Sequence, residues 1–302
     1  MRRTTVTGAT GTIGQALVRE LRERGDEVTV LSRDARRAAS ALGVEAEEWR
    51  HPKEEPPPAQ SLRGRDAVVH LLGETVAQRW TGDAKREIRD SRILATRQLV
   101  GALGQLPAEE RPSVLVSQSA AGLYGPRGDE PLSEEAPAGD DFLARTVREW
   151  EAEALTAAQL GLRVVVARTG VVLSREGGAL EKMLPFFKLG IAGPVAGGEQ
   201  YVPWIHLDDV AGALVACIDG ELSGPVNVNA PEPVTNREFA RTLGKVLKRP
   251  ALAPVPALAV KVLYGEMAMI VTTGQRLVAD RLQESGYRFR RPELESALRA
   301  AV

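Results

Sequence analysis

Apolar and polar positions alternate along the chain in blocks sized for strands and helices in turn. Short strand-like runs close to residues 4–7, 27–31 and 44–49 give way to periodic stretches at 12–24, with Ile13, Leu17 and Leu21 on one face, and at 34–42. Asp66–Leu72, Ser113–Ser117 and Arg163–Arg168 are almost continuously apolar, as parallel strands buried on both faces should be. Long amphipathic stretches at 82–104 and 141–160 separate them, and Pro-, Gly- and acid-rich segments at 51–60 and 125–140 read as loops. This alternation predicts an α/β fold, a doubly wound parallel sheet with its ligand cleft at the carboxyl ends of the strands. Beyond residue 170 the rhythm loosens. Gly-rich 189–198, Tyr201–Asp209, a helix at 236–247, Pro-rich 249–256 and helices near 257–271 and 274–285 follow. We read residues 1–170 as a nucleotide-binding Rossmann domain whose core elements recur near 201–230. Residues 171–302 are then mainly a smaller substrate-side domain.

The first strand runs into Gly8, Gly11 and Gly14, which open the 12–24 helix. Gly8 permits a tight turn, Gly11 lets backbone N–H groups approach a pyrophosphate, and Gly14 lets the helix pack closely on the sheet. That context points to a dinucleotide. The second strand ends at Ser32-Arg33, where an NAD site would place an acid on the ribose 2′-hydroxyl. A hydroxyl and a guanidinium there suit a 2′-phosphate, with Arg36 and Arg37 a turn later. The expected cofactor is NADP(H); the bland alternative is a solvated arginine.

Composition narrows the class. The 302 residues carry a formal charge of −1, which removes the electrostatic case for nucleic acid or an anionic membrane surface. No apolar run is long enough to span a bilayer, since Lys261 and Glu266 interrupt 257–271. One cysteine, Cys217, excludes internal disulfides and suits a reducing cytoplasm. Three histidines at 51, 70 and 206 lack metal-ligand spacing, so no metal is expected. The implied partner is a small molecule, and a homodimer is allowed.

Taken together, the motifs resemble an extended short-chain dehydrogenase/reductase of the NAD-dependent epimerase/dehydratase type. Thr7-Gly-Ala-Thr-Gly-Thr-Ile-Gly14 looks like its nucleotide loop, implying cofactor contacts from Thr7, Gly8, Thr10, Gly11, Thr12, Ile13 and Gly14. Val69-His-Leu-Leu-Gly73 resembles the strand lining the adenine and ribose, adding Leu71, Leu72 and Gly73. Ser119-Ala-Ala-Gly-Leu-Tyr-Gly125 resembles the serine stretch, one residue longer than usual, and Trp204-Ile-His-Leu-Asp-Asp209 a junction motif whose buried acid packs the two parts together. Gly73-Glu74, Arg79-Trp80-Thr81, Ser91-Arg92, Trp150-Glu151, Asn229–Thr235 and Gly265–Ala268 resemble an uncharacterised sugar-nucleotide-epimerase-like subfamily over essentially the whole chain, sometimes labelled cell-division-inhibitor-like.

The likeness breaks at the catalytic pair. Short-chain dehydrogenases place Lys one helical turn after Tyr, lowering the phenol's pKa from about 10. Here the residues four positions after Tyr124, Tyr201, Tyr264 and Tyr287 are Gly128, Ile205, Ala268 and Arg291. Phe142 or Leu143 and Val147 stand near the Tyr and Lys slots, and none can move a proton. The remaining catalytic candidates are Ser119, Tyr124 and Glu74, each with a structural alternative: a turn-closing serine, a packed aromatic, a solvated loop acid. Glu74, Ser91, Arg92, Gln200, Tyr201 and Trp204 are the expected substrate contacts, Arg92 for an anion and the aromatics as a wall. Gly177-Gly178 and Gly193–Gly198 read as covers near the substrate. The expectation is an oxidoreductase or epimerase-like enzyme for a small polar, sugar-nucleotide-like substrate. Its rival is a catalytically degenerate NADP(H) sensor or scaffold acting through a protein partner.

Overall fold

The computed structural model describes all 302 residues. Seven parallel strands form the central sheet: β1 (Arg3–Thr7), β2 (Glu27–Ser32), β3 (Glu45–Glu48), β4 (Ala67–His70), β5 (Val114–Ala120), β6 (Arg163–Thr169) and β7 (Gly224–Val228). Their spatial order is β7-β6-β5-β4-β1-β2-β3, so the strand order reverses between β1 and β4. That reversal opens a crevice at the carboxyl ends of β1 and β4, where a doubly wound sheet takes its ligand.

Period-two alternation sends successive residues of each inner strand to opposite faces, and both faces are buried. Val69 and Val116 join Val6, Leu17 and Leu21 beneath helices Thr12–Glu23 and Leu207–Asp219. Val68 and Leu115 instead meet Leu99 and Leu103 of helix Gly82–Gln105. Helix Phe142–Leu155 packs alongside this last helix. The sheet therefore extends past residue 170, drawing Leu207–Asp219 and β7 back onto the nucleotide half.

A second core gathers Leu173, Leu180, Trp204, Phe239, Leu243 and Leu298 from helices Gly178–Lys188, Asn236–Leu247 and Leu294–Ala300. Asn236–Leu247 starts at a reciprocal cap between Thr235 and Glu238. Asp209, on the Leu207–Asp219 helix of the first core, ties the C-terminal segment to that core. Its buried carboxylate accepts from the Arg290 and Arg291 amides at 2.6 and 2.9 Å and from the Tyr287 hydroxyl at 3.1 Å.

The helix expected over 274–285 is not continuous. Gly274 lies against the Tyr201 backbone, where a Cβ would come within 2.5 Å of its nitrogen. Arg276–Leu277 then pairs with Pro131–Leu132, inside the segment read as loop, leaving only Asp280–Glu284 helical. Likewise the 257–271 stretch breaks after Tyr264 at Gly265, whose φ is +64°.

Candidate functional site

The loop between β1 and helix Thr12–Glu23 is shaped from both sides. Gly8 adopts φ +65°, and a Cβ there would lie 2.7 Å from the Leu71 carbonyl; one on Gly14 would lie 2.4 Å from the Gly8 carbonyl oxygen. Gly11 differs. It has ordinary backbone angles and is exposed, and its Cβ would clear every neighbour by at least 3.4 Å. Within the fold nothing demands glycine at 11. Gly11 is also the helix N-cap and supplies no side-chain acceptor, so the first-turn N–H groups and the positive end of the helix dipole stay available for an anion.

The tip of β2 completes this cradle. Ser32 accepts from the Asp34 amide at 3.2 Å through its hydroxyl oxygen and keeps its proton free. Two acids lie beside the tip and both are engaged: Asp34 caps helix Ala35–Leu42 through the Arg37 amide at 3.0 Å, and Glu48, the β3 neighbour of Ser32, pairs with Arg50. Arg33 is exposed and takes part in no ion pair or hydrogen bond of the structure. A guanidinium and a hydroxyl therefore face solvent where a ribose 2′ group would arrive, and each neighbouring carboxylate already has a partner. Thr10 is exposed, Ile13, Leu71 and Leu72 are half-buried, and the Thr12 hydroxyl donates to the Glu176 carbonyl at 3.1 Å. Thr7 points inward.

Thr7 begins a buried column that runs under the cleft. Its hydroxyl lies 2.8 Å from His70 Nδ1 and accepts from the Leu71 amide at 3.2 Å; His70 Nε2 lies 3.1 Å from Thr96 Oγ1. Thr96 in turn donates to the Arg92 carbonyl at 2.7 Å and accepts from the Trp150 indole at 3.0 Å. These partners assign the proton to Nε2 and leave Nδ1 as acceptor. Burial lowers the His70 pKa to about 4, so the ring is neutral. Sequence spacing gave no hint of this column.

Ser119 and Tyr124, the expected proton-handling residues, are placed together but turned away from the cleft. Both are essentially inaccessible, at 1% and 0% exposure. Ser119 donates to Glu151 Oε1 at 2.5 Å, and Arg168 grips both oxygens of that carboxylate at 2.9 Å. Tyr124 donates to Asn227 Oδ1 at 2.6 Å and accepts from Arg168 at 3.0 Å. Arg168 also donates to the Glu134 carbonyl, while the Glu134 carboxyl holds the Asn227 amide at 2.8 Å. Burial opposes the charge on Arg168, but Glu151 outweighs it and raises its pKa; burial raises Tyr124 and Glu134 too. A phenol with a raised pKa and no path to solvent is a poor proton donor to a ligand. In the structure Tyr124 is placed as a buried, hydrogen-bonded aromatic. Of this network Ser119, Tyr124 and Trp150-Glu151 stood out in the sequence, whereas Glu134, Arg168 and Asn227 did not. Arg168, a cation closing an apolar strand, was the overlooked signal.

The other expected contacts separate. Glu74, Ser91 and Arg92 meet at one corner of the cleft: Ser91 Oγ accepts from the Glu74 amide at 2.9 Å, and Arg92 lies against Gly73. Gln200, Tyr201 and Trp204 do not join them as a wall. The Gln200 amide is spent on the Val195 and Val271 carbonyls at 3.0 and 2.8 Å, Tyr201 stacks with Arg276 at 5.2 Å, and Trp204 is 1% exposed inside the second core. Apolar side chains cover the slots of the missing catalytic pair: Phe142 and Leu143 pack with Trp80, Ile88 and Met267, and Val147 lies beside Tyr124. Lys85 pairs with Glu266 at 2.5 Å across this cover. Gly177 sits on Thr12, near the nucleotide loop.

A family model described as NAD dependent epimerase/dehydratase matches residues 4–229. The chain belongs to that family. Within it, residues 255–301 match a second model, a domain of unknown function, which supplies Glu266 and Met267 to the cleft cover. One epimerase-family relative, "Epimerase family protein SDR39U1 homolog, chloroplastic" of Arabidopsis thaliana, is 40% identical over 98% of this chain and 86% of its own length. A crystal structure of human epimerase family protein SDR39U1 with NADPH superposes with a TM-score of 0.88 at 36% identity, covering 99% of this chain and 98% of that one. A nucleoside-diphosphate sugar epimerase from Corynebacterium glutamicum gives 0.79 at 30% identity, over 99% of this chain and 58% of the other. No helix of this epimerase-family chain is long and apolar enough to cross a membrane.

Proposed function

We propose that the protein is an NADP(H)-binding oxidoreductase or epimerase-type enzyme for a small polar substrate of sugar-nucleotide character. The observation that carries this reading is the cradle from Gly8 to Gly14 facing Ser32 and Arg33, an anion site whose Gly11 leaves room that no part of the protein fills. The NADPH in the human relative's crystal structure and the likeness to a nucleoside-diphosphate sugar epimerase of Corynebacterium glutamicum support it. When bound, a nicotinamide dinucleotide phosphate donates or accepts a hydride. The chain's own residues would do the rest. The helix N-terminus holds the pyrophosphate, Arg33 and Ser32 hold the 2′-phosphate, and half-buried Glu74 moves the substrate proton. The single cysteine, buried Cys217 with its pKa pushed up to about 12, suits a reducing compartment such as the cytoplasm.

Calorimetry with NADPH and NADH tests the cofactor. Arg33→Ala should cost NADPH about ten- to a hundredfold, the equivalent of one charge-assisted contact, and leave NADH nearly unchanged. Equal affinity for both cofactors in the parent protein defeats the assignment. A second reading, a sensor without turnover, draws on the burial of Ser119 and Tyr124 and on Phe142, Leu143 and Val147 in the usual catalytic slots. Single-turnover oxidation of bound NADPH across carbonyl and sugar-nucleotide compounds separates the two. Turnover that falls about 10²–10⁴-fold in Glu74→Gln supports the enzyme, and absence of any turnover supports the sensor.

A further inference from the structure

We propose that Arg92 anchors an oxyanion of the substrate, a carboxylate or phosphate presented over Gly73. This rests on the small-molecule reading above and narrows its substrate class. Helix Gly82–Gln105 carries four arginines, and they are not treated alike. Arg86 pairs with Asp83, Arg89 with Asp90 and Glu149, and Arg97 with Glu153. These three lie on the solvated side of the helix. Arg92 faces the cleft, is half-buried, and takes part in no ion pair of the structure.

Its guanidinium lies 5.3 Å from the Trp150 ring and donates once, from Nη1 to the Ile88 carbonyl at 2.9 Å. Five N–H groups are available on a guanidinium, so most of its donor capacity is unspent. A desolvated cation without a counter-ion is costly to keep. Burial lowers the Arg92 pKa to about 10, which still leaves it charged at neutral pH, and Glu74 acts on it only from beyond ion-pair distance. The neighbouring residues keep the site open rather than closing it. Gly73 is exposed, and a Cβ there would lie 3.0 Å from Arg92 Cζ and 3.2 Å from Nη2. Ser91 pins the next amide, that of Glu74, so the backbone cannot fold over the guanidinium. A planar fork held against an aromatic ring, with its edge toward an opening, matches two oxygens of one carboxylate or phosphate.

Such an anion could belong to the substrate or to the cofactor's own phosphates. The substrate is favoured because the phosphate donors of the cradle lie at the start of helix Thr12–Glu23, whereas Arg92 lies beyond Leu71–Leu72, the segment that abuts Gly8. The test is calorimetry on the full chain with oxalate and, separately, inorganic phosphate, each with and without saturating NADPH. Oxalate or phosphate should bind the NADPH-loaded protein, and Arg92→Gln should weaken that binding about ten- to a hundredfold with NADPH affinity unchanged. Arg92→Lys, which keeps the charge and loses the fork, should fall between. Gly73→Ala should weaken the probe with Arg92 intact, which carries the test if Arg92→Gln does not fold. The proposal is overturned if neither probe binds, or if binding is indifferent to Arg92→Gln and Gly73→Ala. It is also overturned if NADPH displaces the probe and Arg92→Gln loses NADPH, because the anion is then the cofactor's. Failure of the parent protein to bind NADPH would instead count against the cofactor reading and leave the oxalate result to be judged by itself.

Discussion

The Ser119–Glu151–Arg168–Tyr124 cluster and the Gly73–Glu74–Ser91–Arg92 corner use the same chemical vocabulary: a serine, an acid and an arginine, all from strand ends and the two adjacent helices. They differ in closure. In the cluster, Arg168 has a two-oxygen carboxylate partner plus a phenol and a carbonyl, and every group is buried. In the corner, Arg92 has one carbonyl and a ring face, beside an exposed glycine. Satisfied polar groups fix a structure, whereas a group left with spare donors beside solvent is free to act on a ligand. Residue type alone would have ranked the cluster as the active centre. Accessibility and spare hydrogen-bonding capacity rank the corner first.

The sharpest way to break this contrast is to remove a partner from the closed cluster. Arg168→Met strands Glu151 as a buried charge and should cost about 3–5 kcal/mol of unfolding free energy in urea titrations, with Glu151→Leu added to it recovering much of the loss. A mild effect of the single change would mean the cluster is not sealed.

His70 stands on the column linking the nucleotide loop to the helix of Arg92, and acid should reveal it next. Its pKa is about 4 in the folded protein against 6.5 in the unfolded chain, so the unfolded state binds the proton between those values. The His70 contribution is complete above about pH 6.5 and is lost as the pH falls toward 4, on the order of 3 kcal/mol in all. Urea midpoints measured from pH 7 to 4.5 should drop less steeply in His70→Gln than in the parent; parallel slopes would refute the assignment.

Tyr124→Phe removes one hydroxyl from the cluster and leaves its acceptor, Asn227 Oδ1, short of a donor. A loss of about 1–3 kcal/mol is expected by thermal unfolding, with NADPH affinity intact. Should turnover collapse while stability holds, the roles of the two regions are reversed. The smallest effect belongs to Arg92→Gln. Deleting an unpaired, half-desolvated cation should leave stability unchanged or raise it by up to about 1 kcal/mol, as expected of a residue kept for binding, and a clear loss would count against that role.

The hydrophobic pattern made β1, β2 and β4 to β6 legible, because strands buried on two faces leave unbroken apolar runs. Gly8 and Gly14 of the nucleotide loop were legible for a similar reason: each answers a local constraint. What the sequence hid is long-range. Tyr124 meets Asn227 across 103 positions and Arg168 across 44, and no local signal marks a tyrosine as buried rather than facing a cleft. Gln200 and Trp204 misled in the same way, since an amide spent on two loop carbonyls and an indole in a core look, in one dimension, like ligand contacts. Pairing between Pro131–Leu132 and Arg276–Leu277 likewise joins two segments that have no strand pattern of their own.

The Asp209 carboxylate bears on the order in which the molecule is made. Its donors come from Tyr287, Arg290 and Arg291, and Arg290 also reaches back to Glu20 on the helix whose first turn forms the anion cradle. During synthesis the seven sheet strands are complete once Val228 has emerged. At that stage Asp209 is still without the donors that satisfy it, and the outer side of the cradle helix is uncovered. A ribosome adding roughly 5–20 residues per second needs several more seconds to deliver residues 287–291. The nascent chain therefore passes through an interval in which the nucleotide half is fully synthesised yet unlatched, and its last fastening arrives from the far end of the polypeptide.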